Sequence, residues 1–417
     1  MIRIDVLPDD VLLKIFYFYM NRRNVGIEGW QPLVHVCRQW RSLVFTSPCR
    51  LNLQLYCTPK TPARDILDIW PALPLIVEGD MVYSKTTDNV IAALEQSNRV
   101  CHVRLDLTGS QLEKVLAPMQ ARFPELTYLE LSSYDRTLPV LPDSFLDGSA
   151  PRLRHFELDG IPFPGLPKPL LSATHLVNLS LFNIPHSGYF SPEAIVTPLA
   201  VLSSLCTLVL HFQSLESRPD RETRCPPPSK RSAIPALTSF HFQGASEYLE
   251  DLVTFIDAPR LNDFYITFFN EINFDIPRLG QFISRTPGLM ARDKARVQFD
   301  ESARVALLAG SRSLEIEISC GGPNRQLLLI TEVCSFLPPV STVEFLYIEH
   351  QCSELDSEDS EREDDAIEDT LWLGLLLPFS AVKNLYLSGE IEPVITAALQ
   401  EVEGEITDML PNLQNIF

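Results

Sequence analysis

Residues 124–132 read Pro-Glu-Leu-Thr-Tyr-Leu-Glu-Leu-Ser, and residues 151–159 repeat the arrangement as Pro-Arg-Leu-Arg-His-Phe-Glu-Leu-Asp. Each stretch has a Pro-x-Leu step, followed by large apolar residues at alternate positions. Alternate side chains of a β-strand point to opposite faces of the sheet. Each stretch therefore predicts a short strand with one apolar face and one polar face.

The same L-x-x-L-x-L pattern recurs along the chain. It starts at Val100, Leu126, Leu153, Leu176, Leu205, Leu237, Leu261, Val343 and Val382. From Val100 to Leu261, successive starts lie 23 to 32 residues apart. This spacing resembles that of irregular leucine-rich repeats, in which each repeat buries its apolar face by stacking on the next.

Helix-start signals lie between the predicted strands. Ser110 followed by Glu113 predicts a capping box, and Ser191 before Pro192 predicts an N-cap with proline at the first helical position. A strand and a helix that return to a parallel neighbour make an α/β repeat. We therefore predict an α/β fold, an irregular leucine-rich-repeat-like solenoid with parallel strands on its concave face.

The first fifty residues predict a helical module. Residues 7–20 read Leu-Pro-Asp-Asp-Val-Leu-Leu-Lys-Ile-Phe-Tyr-Phe-Tyr-Met, and a second helical pattern covers residues 33–45 before Ser47-Pro48 breaks it. So small a module buries too little surface to cover this many apolar side chains. Either the rest of the chain covers them or a partner does, since a large exposed apolar patch usually marks an interface.

This segment resembles the F-box motif. The resemblance lies in Leu7-Pro8, the apolar run 11–16 and the series Val36-Cys37-x-x-Trp40-x-x-Leu43. It implies a three-helix module that docks on the Skp-type adaptor of an SCF ubiquitin ligase, which also contains a cullin scaffold. The adaptor-binding residues that it implies are Leu7, Pro8, Val11, Leu12, Ile15, Phe16, Val36, Cys37, Trp40 and Leu43. The alternative is that these residues only form the core of a helical cap on the repeats.

We therefore predict two regions, an F-box module at residues 1–50 and the repeat domain at residues 51–417. The repeat domain has loop insertions at about 217–234 and 351–369. The second insertion includes the run 354–369, with ten acidic residues and one basic residue, which predicts a solvated, disordered loop. Three strand-like runs between residues 294 and 319 have no helical pattern between them, which predicts extra antiparallel pairing.

The polar positions of the predicted strands are candidates for binding a protein substrate. They point away from the buried leucines, and aromatic residues among polar ones are typical of protein-binding surfaces. The candidates are Arg104, Tyr128, Glu130, His155, Glu157, Asn178, Phe182, His241, Tyr265 and Tyr347. The alternative is a polar sheet face that binds no partner.

Composition argues against several classes of protein. With 54 acidic and 34 basic residues, the chain of 417 residues has a net charge of -20. This charge argues against binding to nucleic acid or to an anionic membrane surface, both of which require basic residues. The best apolar run, residues 371–379, is far shorter than the ~20 residues of a membrane span. The nine scattered cysteines predict buried free thiols in a reducing compartment, the cytoplasm or the nucleus.

No catalytic motif is present in the sequence. It has no H-E-x-x-H, G-x-S-x-G or G-x-x-x-x-G-K-[ST] pattern, and its eight histidines are spread singly. We predict no enzymatic activity, no metal and no cofactor. Three functions stay open: a substrate-recognition subunit of a ubiquitin ligase, a repeat scaffold without a role in degradation, and a hydrolase without a known motif.

Overall fold

The computed structural model describes residues 7–20, 29–82, 87–135, 138–162, 168–217, 231–269, 277–290, 292–320, 322–350, 369–388, 391–401 and 410–417. The chain forms two compact units, Met1–Leu176 and Val177–Phe417. Each unit is of mixed α/β type with mostly parallel strands. Across the described ranges, every helix is too short or too polar to cross a bilayer.

The first unit begins with four short helices. They are α1 (Asp9–Met20), α2 (Gln31–Val36), α3 (Arg38–Thr46) and α4 (Pro48–Leu51). Helix α1 starts directly after Pro8, and its first turn holds Asp9 and Asp10. Acidic side chains are favourable there because the N-terminal end of a helix carries a partial positive charge.

Of two predicted boundaries in this region, one is wrong and one is confirmed. Residues 33–45 form two helices, because Cys37 is extended (φ -156°, ψ 169°) and separates α2 from α3. The Cys37 Sγ accepts a hydrogen bond from the backbone N–H of Trp40 at 3.5 Å and so caps α3. Ser47-Pro48 ends the pattern as predicted, since α3 stops at Thr46, and Pro48 then starts a further short helix, α4. A proline costs no hydrogen bond in the first turn of a helix.

The helices of this module share an apolar core. Helix α1 packs on α3 and α4, and α2 packs on α3. The ring centroids of Phe16 and Trp40 are 4.7 Å apart, which joins α1 to α3. The buried apolar side chains of the four helices are Leu12, Leu13, Phe16, Leu33, Val34, Leu43, Val44 and Leu51. Of the predicted adaptor-binding residues, Leu12, Phe16 and Leu43 therefore belong to the interior of the module.

Trp30 joins the module to the strands of the first unit. Its side chain is 1% exposed. Its Nε1 donates a hydrogen bond to the Gln54 carbonyl oxygen at 2.9 Å, just before the first strand. Its ring packs edge-on against Phe45 at 5.8 Å and Trp70 at 5.2 Å. This aromatic cluster ties the helices to the sheet that follows them.

The rest of the first unit is a parallel sheet of five strands with helices between them. The strands are β1 (Leu55–Cys57), β2 (Leu75–Asp80), β3 (Val100–Asp106), β4 (Tyr128–Ser132) and β5 (His155–Asp159). The helices are α5 (Ala63–Ile69), α6 (Asp88–Leu94), α7 (Gly109–Leu116) and α8 (Pro169–Ser172), with 3-10 turns at Pro118–Gln120 and Phe145–Gly148. The repeat pattern is buried as predicted, with Leu126, Leu129 and Leu131 all at 0% exposure. The predicted parallel strands are confirmed in this unit.

The predicted capping box at Ser110 and Glu113 is wrong by two residues. The N-cap of α7 is Thr108, whose backbone N–H donates to Gln111 Oε1 at 2.9 Å. The Thr108 side chain in turn accepts from the backbone at Gln111. Two overlapping boxes are present in the sequence, and the earlier one forms because the strand ends before Thr108.

The second unit contains a ten-stranded sheet in the order β6-β7-β9-β11-β14-β13-β12-β15-β16-β17 and a separate pair, β8 and β10. The strands are β6 (Asn178–Ile184), β7 (Thr207–Phe212), β8 (Ser232–Ala233), β9 (Ser239–Gly244), β10 (Ile256–Asp257), β11 (Asp263–Phe268), β12 (Lys294–Phe299), β13 (Ser302–Ala309), β14 (Arg312–Ser319), β15 (Phe345–His350), β16 (Asn384–Leu387) and β17 (Asn415–Ile416). The α-helices are α9 (Pro192–Leu199), α10 (Ser246–Phe255), α11 (Pro277–Ser284), α12 (Pro287–Met290), α13 (Pro323–Phe336), α14 (Asp369–Leu376) and α15 (Glu392–Glu401), with 3-10 turns at His186–Gly188 and Pro338–Thr342. Ser191 caps α9 as predicted, accepting from the Ala194 N–H at 3.3 Å.

The antiparallel pairing predicted between residues 294 and 319 is confirmed. Strand β13 pairs antiparallel with both β12 and β14. Strand β14 then pairs parallel with β11, and β12 pairs parallel with β15. Arg304 of β13 lies 3.3 Å from Glu315 and 3.0 Å from Glu317 on β14. The single positive charge of Arg304 is thus shared between two acidic residues on the polar side of the insert.

Most of the two predicted insertions lies outside the described residues. In the first, residues 218–230 are not described, whereas Ser217 and Ile234 are buried. Ser232–Ala233 pairs with Ile256–Asp257, so this end of the insertion is a short strand and the predicted loop is wrong there. In the second, the acidic run lies outside the described residues up to 368, and Asp369 begins α14.

Six cysteines of the described segments are free thiols, but their burial varies. Cys57, Cys320 and Cys334 are buried, and Cys101 and Cys206 are half-buried. Cys37 is exposed, so the prediction of buried thiols is wrong for this residue. Its place at the N-cap of α3 explains the exposure.

A buried carboxylate caps a helix in the second unit. Glu250 of α10 is 6% exposed. Its carboxylate accepts hydrogen bonds from the backbone N–H groups of Arg278 at 3.2 Å and Leu279 at 2.7 Å, in the first turn of α11. Burial raises the pKa of Glu250 to about 7, against the opposing effect of the two N–H donors.

Glu250→Gln is expected to change how the stability of the chain depends on pH. A carboxyl group with a raised folded-state pKa stabilises the fold below its unfolded pKa, and this contribution is lost as the pH rises through about 7. One pKa unit corresponds to about 1.4 kcal/mol. Between pH 5 and pH 8, the free energy of unfolding of the wild type should therefore fall by about 2 kcal/mol relative to the variant. Urea unfolding at both pH values measures this difference.

The matched control is Glu332→Gln, at an exposed glutamate on α13 of the same unit. Its unfolding free energy should follow that of the wild type at both pH values. Parallel pH profiles for the wild type and Glu250→Gln would contradict the expected ionisation of the buried carboxyl group.

Candidate functional site

An apolar stripe on α1 is the first candidate surface. Pro8, Val11, Ile15 and Phe18 are spaced by three, four and three residues, which places them on one side of the helix. Pro8 is exposed, and the exposed fractions of Val11, Ile15 and Phe18 are 37%, 45% and 70%. The side chains of α1 that form the core lie on another side of the helix. The stripe is therefore left uncovered by the module's own packing.

The other predicted adaptor-binding residues divide by burial. Val36 is 57% exposed and Cys37 is exposed, whereas Leu7 and Trp40 are half-buried. Phe18 was missed in the sequence, although its spacing from Ile15 is the signal that would have found it. We call Pro8, Val11, Ile15, Phe18, Val36 and Cys37 the exposed apolar residues of the module.

The polar face of the first sheet is the second candidate surface. We use this name for the half-exposed and exposed side chains that alternate with the buried leucines on β2–β5. His102, Tyr128 and His155 lie opposite one another in adjacent strands. The Tyr128 ring stacks on His102 at 4.1 Å and on His155 at 4.2 Å, with interplanar angles of 5° and 4°. Three predicted strands thus contribute to one ordered stack of rings.

Charged side chains form the next row of this face. Glu78, Arg104, Glu130 and Glu157 are in register across β2, β3, β4 and β5. Arg104 Nε lies 3.0 Å from Glu130 Oε1. His102 Nε2 lies 2.9 Å from Glu78 Oε1. Strands β2–β5 together contain six carboxylates and one arginine, so the face is negative.

Burial and this negative charge shift the pKa values of neighbouring groups. Burial lowers the pKa of His102, although Glu78 and Glu130 act in the other direction. Burial, with the nearby Glu130, raises the pKa of Tyr128. The Asp159 carboxylate raises the pKa of Tyr134, which is 78% exposed just after β4. These shifts disfavour the charged forms of His102 and of both phenols.

The structure brings together Arg104, Tyr128, Glu130, His155 and Glu157 of the predicted substrate-binding residues. Glu78 on β2 belongs to the same row but was missed, because β2 reads Leu-Ile-Val-Glu-Gly-Asp and does not alternate apolar and polar residues as β4 and β5 do. Tyr56 on β1 also reaches this row, donating a hydrogen bond to Glu78 Oε2 at 2.7 Å.

The polar face of the second unit's sheet holds the other predicted residues in separate pairs. The His241 ring stacks on Tyr265 at 4.5 Å, and Phe182 packs edge-on against His211 at 5.1 Å. Tyr347 stacks on Tyr386 at 4.5 Å. Three strands, β14, β13 and β12, separate Tyr347 from the strand of Tyr265. Asn178 is half-exposed at the start of β6. The five residues therefore do not form one cluster.

A serine and a histidine of this face lie at the distance of a nucleophile and its base. Ser239 Oγ is 3.0 Å from His241 Nε2. Asp263 faces Ser239 across the strands, but its carboxylate accepts from the backbone N–H of Ser313 at 3.1 Å. The Ser239 N–H is used in the sheet, donating to the Cys206 carbonyl oxygen at 3.0 Å. Within the described part of the chain, this pair lacks the orienting acid of a hydrolytic triad.

One group of side chains has the composition and spacing to hold a metal ion. Glu130 of β4 and His155 and Glu157 of β5 each offer one ligand atom, and these atoms lie within 4.8 Å of one another. The His155 Nε2 and the Glu157 Oε2 are 3.2 Å apart. All three residues are half-buried. An ion held there would remain accessible from one side.

Neither the family models nor the curated proteins contain a match to this chain. The functional argument therefore depends on two features of the structure. One is the set of exposed apolar residues of the helical module, and the other is the polar face of the first sheet.

Proposed function

We propose that the chain is the substrate-recognition subunit of an SCF-type E3 ubiquitin ligase, acting in the cytoplasm or the nucleus. The exposed apolar residues of the module bind a Skp-type adaptor, which connects the chain to a cullin scaffold. The observation that carries this proposal is the stripe on α1, because Val11, Ile15 and Phe18 stay exposed beside a packed core. An exposed apolar patch of this kind usually marks an interface.

The division of the F-box-like residues by burial supports the same proposal. Leu12, Phe16 and Leu43 are at most 8% exposed and hold the helices together. Ile15 and Val36 come from the same short motif, yet they are about half exposed, at 45% and 57%. A small docking module needs both classes of residue, one for its own core and one for its partner.

The polar faces supply the proposed surface for a protein substrate. Stacked aromatic rings and histidines among charged groups offer both apolar contact and hydrogen bonds, as protein interfaces do. In this role the chain contributes proximity, since it holds the substrate near the enzymes that transfer ubiquitin. The chain therefore needs no nucleophile of its own.

Ile15→Asp and Val36→Asp are each expected to weaken binding of the full chain to a purified Skp-type adaptor at least tenfold. Each change places a carboxylate where the proposed interface excludes water, and one factor of ten corresponds to about 1.4 kcal/mol. Biolayer interferometry with the immobilised adaptor measures the affinity. Circular dichroism of each variant shows whether the helices are retained.

Ile69→Asp is the matched control, since Ile69 is a 73% exposed isoleucine on α5 of the same unit. It should bind the adaptor as the wild type does. If the wild type does not bind, or if Ile15→Asp binds equally well, docking through the exposed apolar residues is wrong.

Ubiquitination distinguishes the ligase from a scaffold that binds the adaptor without directing degradation. A protein captured by the full chain should be ubiquitinated in a reconstituted SCF reaction, and the reaction should fail with Ile15→Asp. Capture and adaptor binding without ubiquitination would favour the scaffold.

A further inference from the structure

We propose that Glu130, His155 and Glu157 form a Zn²⁺-binding site on the polar face of the first sheet. The site lies on β4 and β5 and is independent of the docking proposed for α1. It supplies three protein ligands, one imidazole nitrogen and two carboxylate oxygens, all of which zinc accepts.

Two of the ligand atoms already have nearly the spacing that zinc requires. His155 and Glu157 are two residues apart on β5 and therefore project from the same face. Their Nε2 and Oε2 atoms are 3.2 Å apart. Two ligands at ~2.1 Å from a tetrahedral zinc ion are separated by about 3.4 Å. The third ligand, Glu130, lies within 4.8 Å of both, and its carboxylate would have to exchange its contact with Arg104 to join the same sphere.

Tyr128 orients two of the three ligands. Its ring stacks on His155 at 4.2 Å with an interplanar angle of 4°, which fixes the plane of the imidazole. Its hydroxyl group donates a hydrogen bond to the Glu130 Oε2, whereas the Oε1 lies 3.0 Å from Arg104 Nε. Metal ligands are usually held by outer contacts of this type.

The local charge also favours a divalent cation. Glu130 and Glu157 face each other directly in the ladder of β4 and β5, and like charges at opposed positions destabilise a sheet. Arg104 Nε lies 3.0 Å from Glu130 Oε1, but its side chain is 59% exposed. A zinc ion bound between the carboxylates would relieve their repulsion and would compete with Arg104 for Glu130. Its fourth position would face outward, open to water or to a group of a bound protein.

Titration of the full chain with ZnCl₂ in an isothermal calorimeter tests this site. The wild type should bind one Zn²⁺ that His155→Gln and Glu157→Gln each weaken at least tenfold. Arg104→Gln should tighten the same binding threefold or more, because it removes the competing guanidinium group. Titration with Co²⁺ should produce visible absorption bands of a four-coordinate ion, and His155→Gln should abolish them.

His241→Gln is the matched control. Like His155, His241 is a half-buried strand histidine stacked on a tyrosine ring, but its ring nitrogen contacts Ser239 instead of a carboxylate. Its Zn²⁺ affinity should equal that of the wild type. The site is wrong if His155→Gln and Glu157→Gln, shown by circular dichroism to be folded, bind Zn²⁺ as the wild type does, or if the wild type binds none. Should one of these two variants fail to fold, the other decides the outcome, together with Arg104→Gln.

Discussion

Trp30→Ala is expected to lower the free energy of unfolding of the chain by about 3–5 kcal/mol, the usual cost of removing a buried tryptophan. The indole is 1% exposed and packs against Phe45 and Trp70. The change also leaves the Gln54 carbonyl oxygen without the hydrogen bond that Trp30 Nε1 supplies. Urea unfolding followed by far-ultraviolet circular dichroism measures the loss. Because Trp30 ties the helices to β1, the helical signal of the module should be lost at lower urea.

Two further variants separate packing from the hydrogen bond. Trp30→Phe keeps an aromatic ring but removes the N–H donor, and should fall between the wild type and Trp30→Ala. Ile69→Ala removes an apolar side chain that is 73% exposed on α5, and should change stability by no more than about 0.5 kcal/mol. Equal losses for Trp30→Ala and Ile69→Ala would show that the indole does not anchor the module.

The strands could be predicted from the sequence because their pattern is local. Leu129 and Leu131 alternate with Tyr128 and Glu130, and burial follows that alternation in the structure. The antiparallel insert was also predictable, since the runs between residues 294 and 319 leave no room for a helix. In both cases the alternation of apolar and polar residues, with a period of two, is enough to identify the strands.

Helix boundaries were less predictable because they depend on single hydrogen bonds. The apolar pattern of residues 33–45 continues through Cys37, yet the chain is extended there and its Sγ caps α3. At α7, Thr108 and Ser110 are equally suitable caps by residue type. Only the end of β3 decides that Thr108 is used.

For each candidate surface, the residue types could be read from the sequence, but their arrangement in space could not. The apolar excess of α1 is visible in the sequence, but which residues face the core depends on how α3 and α4 pack on it. The possible zinc ligands were not found because Glu130 and His155 are 25 residues apart in the sequence. They meet because β4 and β5 pair in register, and this register is a tertiary property.

Gly160→Ala is expected to destabilise the chain by about 3 kcal/mol. Gly160 follows β5 with φ +72°, and a left-handed conformation costs a residue with a side chain about 1–2 kcal/mol. A Cβ atom there would also overlap the Ser133 carbonyl oxygen. Forcing the backbone apart adds about 1–3 kcal/mol, as overpacking does. Thermal and urea unfolding measure the loss.

Comparison with Gly148→Ala separates the cost of the overlap with Ser133 from the cost of the backbone strain. Gly148 has a similar φ of +66°, but among the described residues a Cβ there would meet only Lys168 side-chain atoms, at 3.7 and 3.9 Å. It should cost about 1 kcal/mol, the strain alone. The difference between the two variants then measures how tightly the end of β5 packs against the end of β4, where the Ser133 N–H donates to the Asp159 carbonyl oxygen at 3.0 Å. Equal losses of stability for the two variants would mean that the ends of β4 and β5 can move apart at little cost in free energy. In that case the contact between these ends could not maintain the register that places Glu130 opposite Glu157.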